Sequence, residues 1–150
     1  MAPVSRFMCP AAKCIVVGKD CTLRGVADAM LSEKCSAVVV TEGDSSSATG
    51  ILTKTDLIEA WTKSAKLTDE VALYMSTNLL NAAPEMTRDA VATLMYENQT
   101  HHAVVVDANG AFVGLVSSWD IAREASLDAK AWPCSREGVE NKVAHGDRLW

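Results

Sequence analysis

The pattern Gly-x-x-Thr/Ser-x-x-Asp occurs once in each half of the chain, as "GILTKTD" (Gly50 to Asp56) and as "GLVSSWD" (Gly114 to Asp120). What precedes each copy repeats as well. "SAVVVTEG" (Ser36 to Gly43) is echoed by "HAVVVDANG" (His102 to Gly110), and "TLRGVADAMLSEK" (Thr22 to Lys34) by "TRDAVATLMYENQ" (Thr87 to Gln99). Further upstream, "CIVVGKD" (Cys14 to Asp20) corresponds to "LLNAAPE" (Leu79 to Glu85). Self-similarity at a fixed spacing constrains architecture more than any local propensity, so the chain reads as a tandem duplication of a unit of about 55 residues.

Each unit has legible periods. Val26, Ala27, Ala29 and Met30 in the first copy, and Ala90, Val91, Leu94 and Met95 in the second, recur at helical spacing after a threonine suited to N-capping. "AVVV" is a short β-branched run, as in a strand buried on both faces. "DANG" is a turn signal, which predicts a hairpin of 104–107 with 112–117. In the first copy "EGDSSSA" (Glu42 to Ala48) takes that place, and a longer, mobile loop is expected. The order is strand, helix, strand, strand, helix, an α+β unit whose sheet is too narrow to bury both faces alone. Two such β-α-β-β-α units should pack sheet to sheet with pseudo-twofold symmetry. The expected division is 8–65 and 66–126, with "KLTDEVALYM" (66–75) as a connecting helix. Residues 127–150 read as a weakly ordered tail, tied down by Trp132 or Trp150.

With 150 residues, 49% of them hydrophobic, the chain can bury a core as one domain or two interlocked halves. A formal net charge of −5 without clustered Lys or Arg argues against nucleic acid and anionic lipid as partners. No apolar run approaches the roughly 18 residues of a membrane span, and the start of the chain lacks the apolar core of a secretory signal. The cytoplasm is the default expectation, with an organelle left open, since a transit peptide already removed from a precursor leaves no trace. Cys9, Cys14, Cys21, Cys35 and Cys134 are odd in number and form no Cys-x-x-Cys pair, which disfavours a disulfide framework or a zinc site. Incidental thiols are the plain reading, and a redox switch at Cys9 or Cys14 the sharper one. No metal site is expected.

The closing motif admits two uses. Thr53 can cap the helix that follows, with Asp56 reaching back as in a capping box, and Ser117 with Asp120 can do the same. The same helix start presents N–H groups and partial positive charge to a phosphate, while a carboxylate there can hold a ribose diol through two hydrogen bonds. Gly50 and Gly114 would let a ligand approach the strand backbone. Cations for a phosphate are sparse: Lys54, Arg123 and the pair His101 and His102 are the candidates. Trp119 would cover a cleft mouth or fill a contact between chains.

The duplicated order, the lead-ins "FMCP" (Phe7 to Pro10) and "YMST" (Tyr74 to Thr77), the helix before each "VVV" strand and the closing motif resemble a tandem pair of CBS domains over about residues 8–126. The resemblance implies a regulatory module, not an enzyme, with two clefts for adenosine-containing ligands such as AMP, ADP, ATP or S-adenosylmethionine. It implies Asp56 and Asp120 on the ribose, Thr53 and Ser117 on ribose or phosphate, and His102 near the phosphate. Val17 and Ala82 would line the adenine pocket. It also implies a homodimer and a regulated partner protein acted on in trans. Gly18 and Lys19 stand where the second copy has Ala83 and Pro84, so the two clefts should differ in shape. Ligand-independent dimerisation with degenerate clefts is the alternative. Catalysis is not expected, because no nucleophile and base and no Gly-rich phosphate loop stand in a recognisable arrangement.

Overall fold

The computed structural model describes residues 2–43 and 46–131. After the short strand β1 (Cys9–Pro10), the first repeat runs β2 (Val16–Gly18), α1 (Leu23–Ser32), β3 (Ala37–Thr41), β4 (Ala48–Thr53) and α2 (Lys54–Thr62). The second runs β5 (Asn81–Ala82), α3 (Arg88–Glu97), β6 (His102–Val106), β7 (Phe112–Ser117) and α4 (Ser118–Ala131). The expected order therefore holds in both repeats, in an α+β fold with two sheets. Thr22 and Thr87 cap α1 and α3 by accepting from Gly25 N and Ala90 N at 3.2 and 3.3 Å.

One sheet has the order β2-β3-β4 and the other β1-β7-β6-β5. Val38 and Val40 pack with Val26, Met30 and Leu52 into one helix-backed core; Ala103 and Val105 pack with Val91, Met95 and Val116 into the other. Val39 and Val104 alternate to the opposite face and are still 0% and 1% exposed, which puts them in the seam where the sheets meet. In the second hairpin the Asp107 carboxylate accepts from Asn109 N and Ala111 N, and Gly110 takes φ 79°. The corresponding loop of the first repeat, between Thr41 and Ala48, is one residue longer. Its Asp44 and Ser45 lie outside the described residues, and so does the mobility expected of them.

Three expectations need correction. The echo of Ser36 with His102 is one residue out. Ala37 pairs with Thr53 and His102 with Ser117, so Ala37 and His102 are the equivalent positions. Lys34 and Gln99, both at φ 51° in the turn after the helix, agree with that offset. Three successive valines had concealed the slip.

The connecting helix over 66–75 is absent. In its place a turn at Lys66 to Asp69 leads into a single 3-10 turn, Val71–Leu73. The backbone of this segment bonds across the fold rather than to itself: Leu23 N donates to Asp69 O at 2.9 Å, Arg24 N to Leu67 O at 3.0 Å and Val71 N to Cys21 O at 2.7 Å. The third correction follows from the same contacts. The lead-ins are exchanged, with Val71, Tyr74 and Met75 filling the core of the first repeat and Val4, Phe7 and Met8 that of the second. β1 pairs with β7, and Ile51 bridges Ser76 in the equivalent place. A division at 65/66 thus cuts between segments that pack together. At the other end, α4 continues to Ala131, and the tail expectations for Trp132 and Trp150 fall outside the described residues.

The Asp69 carboxylate accepts from Lys66 N and from the Tyr74 hydroxyl, each at 2.9 Å, and these bonds hold it below the usual carboxylate range. A depressed carboxyl stabilises the fold above its unfolded pKa and loses that contribution as pH falls through the lowered value. Tyr74→Phe removes one donor, so the Asp69 carboxyl should titrate closer to its ordinary value, as carboxyl NMR would read.

Candidate functional site

Both motifs fold first as helix caps. Thr53 N donates to Asp56 Oδ2 at 2.8 Å, and Asp56 N returns a bond to Thr53 Oγ1 at 3.2 Å. Ser117 N donates to Asp120 Oδ2 at 2.8 Å, and Asp120 N to Ser117 Oγ at 3.3 Å. Each hydroxyl also donates to the same Oδ2, at 3.0 Å from Thr53 and 2.8 Å from Ser117. The two halves are alike up to this point and then diverge.

Asp56 is half-buried at the edge of a cavity of about 330 Å3, lined also by Ile51, Thr53, Leu79, Leu80, His101 and His102. Its cap occupies Oδ2, and no protein hydrogen bond to Oδ1 is found among the described residues. Asp120 is 0% exposed. Its Oδ2 holds the cap, and its Oδ1 stands 3.6 Å from Arg123 Nη2. The cavity beside it measures about 60 Å3. A small-molecule site spans roughly 300–1,000 Å3, whereas 60 Å3 is about the share of two waters.

Arg123 does not reach either cavity. Its Nη2 donates to the Phe7 carbonyl at 3.0 Å, its guanidinium lies 5.2 Å from the Trp119 ring centre, and Glu124 Oε1 is 3.9 Å from Nε. It thus ties the exchanged lead-in to α4, and Trp119 packs against it instead of covering a cleft. Lys54 is exposed on α2 and does not line the large cavity, whose described walls carry no Lys or Arg. His102, first residue of β6, faces both cavities, with Nε2 3.2 Å from Ser36 Oγ. His101 is exposed, with Nδ1 3.4 Å from Ser118 Oγ.

The glycines serve packing. A Cβ at Gly50 would run into the Met75 thioether, and one at Gly114 would stand 2.5 Å from Met8 Sδ and 2.7 Å from the Cys9 carbonyl oxygen. The close approach seen there is made by the exchanged lead-ins. Val17 and Ala82 pack in the helix-backed cores and line neither cavity. Leu79 and Leu80, with Ile51 opposite, make the apolar wall instead. Ser76 in the "YMST" lead-in, Asn78 just after it, and Gln99 and Thr100 in the turn after α3 add to the polar rim and escaped the sequence reading. Among the described residues no group of three or more His, Cys, Asp or Glu could hold a metal ion, and no helix is long and apolar enough to cross a membrane.

Residues 4–63 and 69–127 each match the family described as CBS domain. No curated protein matches the sequence. Among solved structures, an uncharacterized conserved protein from Pyrococcus horikoshii superposes with TM-score 0.75 at 22% identity, over 83% of this chain and 92% of that one. A CBS-domain containing protein from Agrobacterium tumefaciens gives TM-score 0.69 at 26% identity, over 75% and 88%. The structure of CBSX2 in complex with AMP gives TM-score 0.72 at 21% identity, over 87% and 99%.

Proposed function

The chain belongs to the CBS domain family along both of its repeats, and from that premise we propose that it is a regulatory module binding an adenosine-containing ligand in the cleft headed by Asp56. One observation carries the choice of cleft: Asp56 offers an oxygen not occupied by its cap to a cavity of about 330 Å3, while both oxygens of Asp120 are engaged beside one of about 60 Å3. The adenine would lie against Ile51, Leu79 and Leu80, the ribose diol on Asp56, and a phosphate toward Thr53, His101 and His102. The likeness to CBSX2, which was crystallised with AMP, supports the ligand class.

The cleft's charge bears on which nucleotide is preferred. With no Lys or Arg on its described walls and a net charge of −5, it has little to offset a triphosphate. AMP should therefore bind more tightly than ATP. A ligand that binds only the folded state stabilises by mass action, by about 2.7 kcal/mol at a hundred times its Kd. Thermal shift with adenosine, AMP, ADP, ATP and S-adenosylmethionine tests the proposal. AMP should raise Tm, Asp56→Asn should weaken AMP by tenfold or more, and Asp120→Asn should leave the AMP Kd within about twofold. No shift with any ligand at millimolar concentration would favour the ligand-independent interaction module instead. His102→Ala should weaken AMP more than adenosine; equal losses would contradict a phosphate near His102.

A homodimer and a regulated protein complete the proposal. Leu31, Ile58, Trp61 and Tyr96 stand exposed on α1, α2 and α3, with Trp61 at 67% and Tyr96 at 85%, and large aromatic residues dominate interface energetics. Light scattering should give twice the chain mass for the natural protein and the single mass for Trp61→Arg with Tyr96→Asp.

A further inference from the structure

The second cleft is too small for a nucleotide, and its walls carry a different chemistry. Its cavity of about 60 Å3 is lined by three cysteines, Cys9, Cys14 and Cys35, together with Ser36, His102 and Asp120. They reach it from separate places in the fold. Cys9 lies on β1, bonded to β7 of the second repeat; Cys14 precedes β2; Cys35 sits in the turn between α1 and β3. All three are partly buried. The Cys14 thiol donates to the Cys9 carbonyl at 3.4 Å, and the Cys35 thiol to the Ala37 carbonyl at 3.6 Å. A void of about two waters is small enough for side-chain rotation to bring sulfurs on its walls together.

We propose that this cleft is an oxidation site, at which a peroxide joins Cys35 to Cys9 of the lead-in or to Cys14 between the lead-in and β2, and so ties that stretch to the turn between α1 and β3. In the first step the Cys9 or Cys14 thiolate attacks the peroxide: an S–O bond forms, the O–O bond breaks, and a sulfenic acid and hydroxide result. In the second, the Cys35 sulfur displaces the sulfenic oxygen, an S–S bond forms and the S–O bond breaks. Two thiols and one hydrogen peroxide become one disulfide and two waters, the sulfurs being oxidised and the peroxide oxygens reduced. Burial pushes the Cys35 thiol up, which disfavours it as the first to meet the oxidant, since the thiolate is the reacting species. The site does not depend on the nucleotide reading, because its cavity is separate from the one Asp56 borders.

The test uses the full natural chain, treated with equimolar hydrogen peroxide, alkylated and digested with trypsin without reductant. Cleavage after Arg6, Lys13, Lys19, Lys34 and Lys54 puts Cys9 in 7–13, Cys14 in 14–19 and Cys35 in 35–54. Mass spectrometry should find 35–54 joined to 7–13 or to 14–19, which also distinguishes Cys9 from Cys14. The joined species should vanish on reduction, and at least half of the Cys35 should be lost from the alkylated pool. Cys35 as alkylatable after oxidation as before, a bond between Cys9 and Cys14 alone, or Cys35 joined to Cys21, to Cys134 or to a second chain would each overturn the proposal. The readout is covalent and needs no variant to fold.

Discussion

Asp120→Ala is expected to destabilise the protein by about 3–5 kcal/mol, because removing one partner of a buried ion pair leaves the other charge poorly compensated, here with only Glu124 at 3.9 Å from its Nε. Arg123 is that charge. Its Nε and Nη1 already lack a hydrogen-bond partner, and its side chain is 8% exposed, so water cannot replace the lost carboxylate. The cap on Ser117 is lost as well, worth about 1 kcal/mol. Asp56→Ala loses only the equivalent cap, and its half-buried site lets water reach Thr53 N. It should cost about 1 kcal/mol. Two aspartates in the same motif therefore differ severalfold in their effect on stability. In chemical denaturation the Asp120 variant should show a markedly lower midpoint with an unchanged slope. Adding Arg123→Met to Asp120→Ala should recover part of the loss, and equal destabilisation by the two single aspartate variants would overturn the buried-pair account.

Gly114→Ala should cost toward the upper end of the about 1–3 kcal/mol typical of overpacking, and Gly50→Ala less. At Gly50 the added methyl meets the flexible Met75 side chain, which can change rotamer. At Gly114 it also meets the Cys9 carbonyl, main chain held by β1 pairing with β7, so the strand itself must shift. The expected consequence is release of the lead-in from the second repeat, read as faster hydrogen exchange at Met8 and Cys9 than in Gly50→Ala. Equal exchange in the two variants would show that β1 is not held through Gly114.

Much of this was legible before any coordinates. The duplication declared two like units, the threonines declared the starts of α1 and α3, and the paired Thr/Ser and Asp declared two capping boxes, because these are features of adjacent residues and short periods. The exchange of lead-ins was not legible. "YMST" carries the same local pattern wherever it packs, and the long-range backbone bonds that place it go from Ser76 to Ile51 and, just before it, from Asp69 and Val71 to Leu23 and Cys21. Val17 and Ala82, expected on the adenine wall, pack in the helix-backed cores and line neither cavity. The cavity beside Asp56 is bordered instead by Leu79 and Leu80, and with so many apolar neighbours no local pattern marks which ones reach it.

The sequence by itself determined that the chain is two copies of one β-α-β-β-α unit, that each copy closes on a capped helix, and that each of these caps carries a carboxylate. These follow from residue identity and spacing alone. Which carboxylate keeps a hydrogen-bond position for a ligand was decided only by the tertiary structure. Arg123 reaches Phe7 across the fold and holds Asp120 on the way, while the residue equivalent to it in the first repeat is Glu59, which offers Asp56 no such partner. A charge's effect depends on what stands within a few ångströms of it in a medium that water cannot screen, and that neighbourhood is made by packing, not by order along the chain.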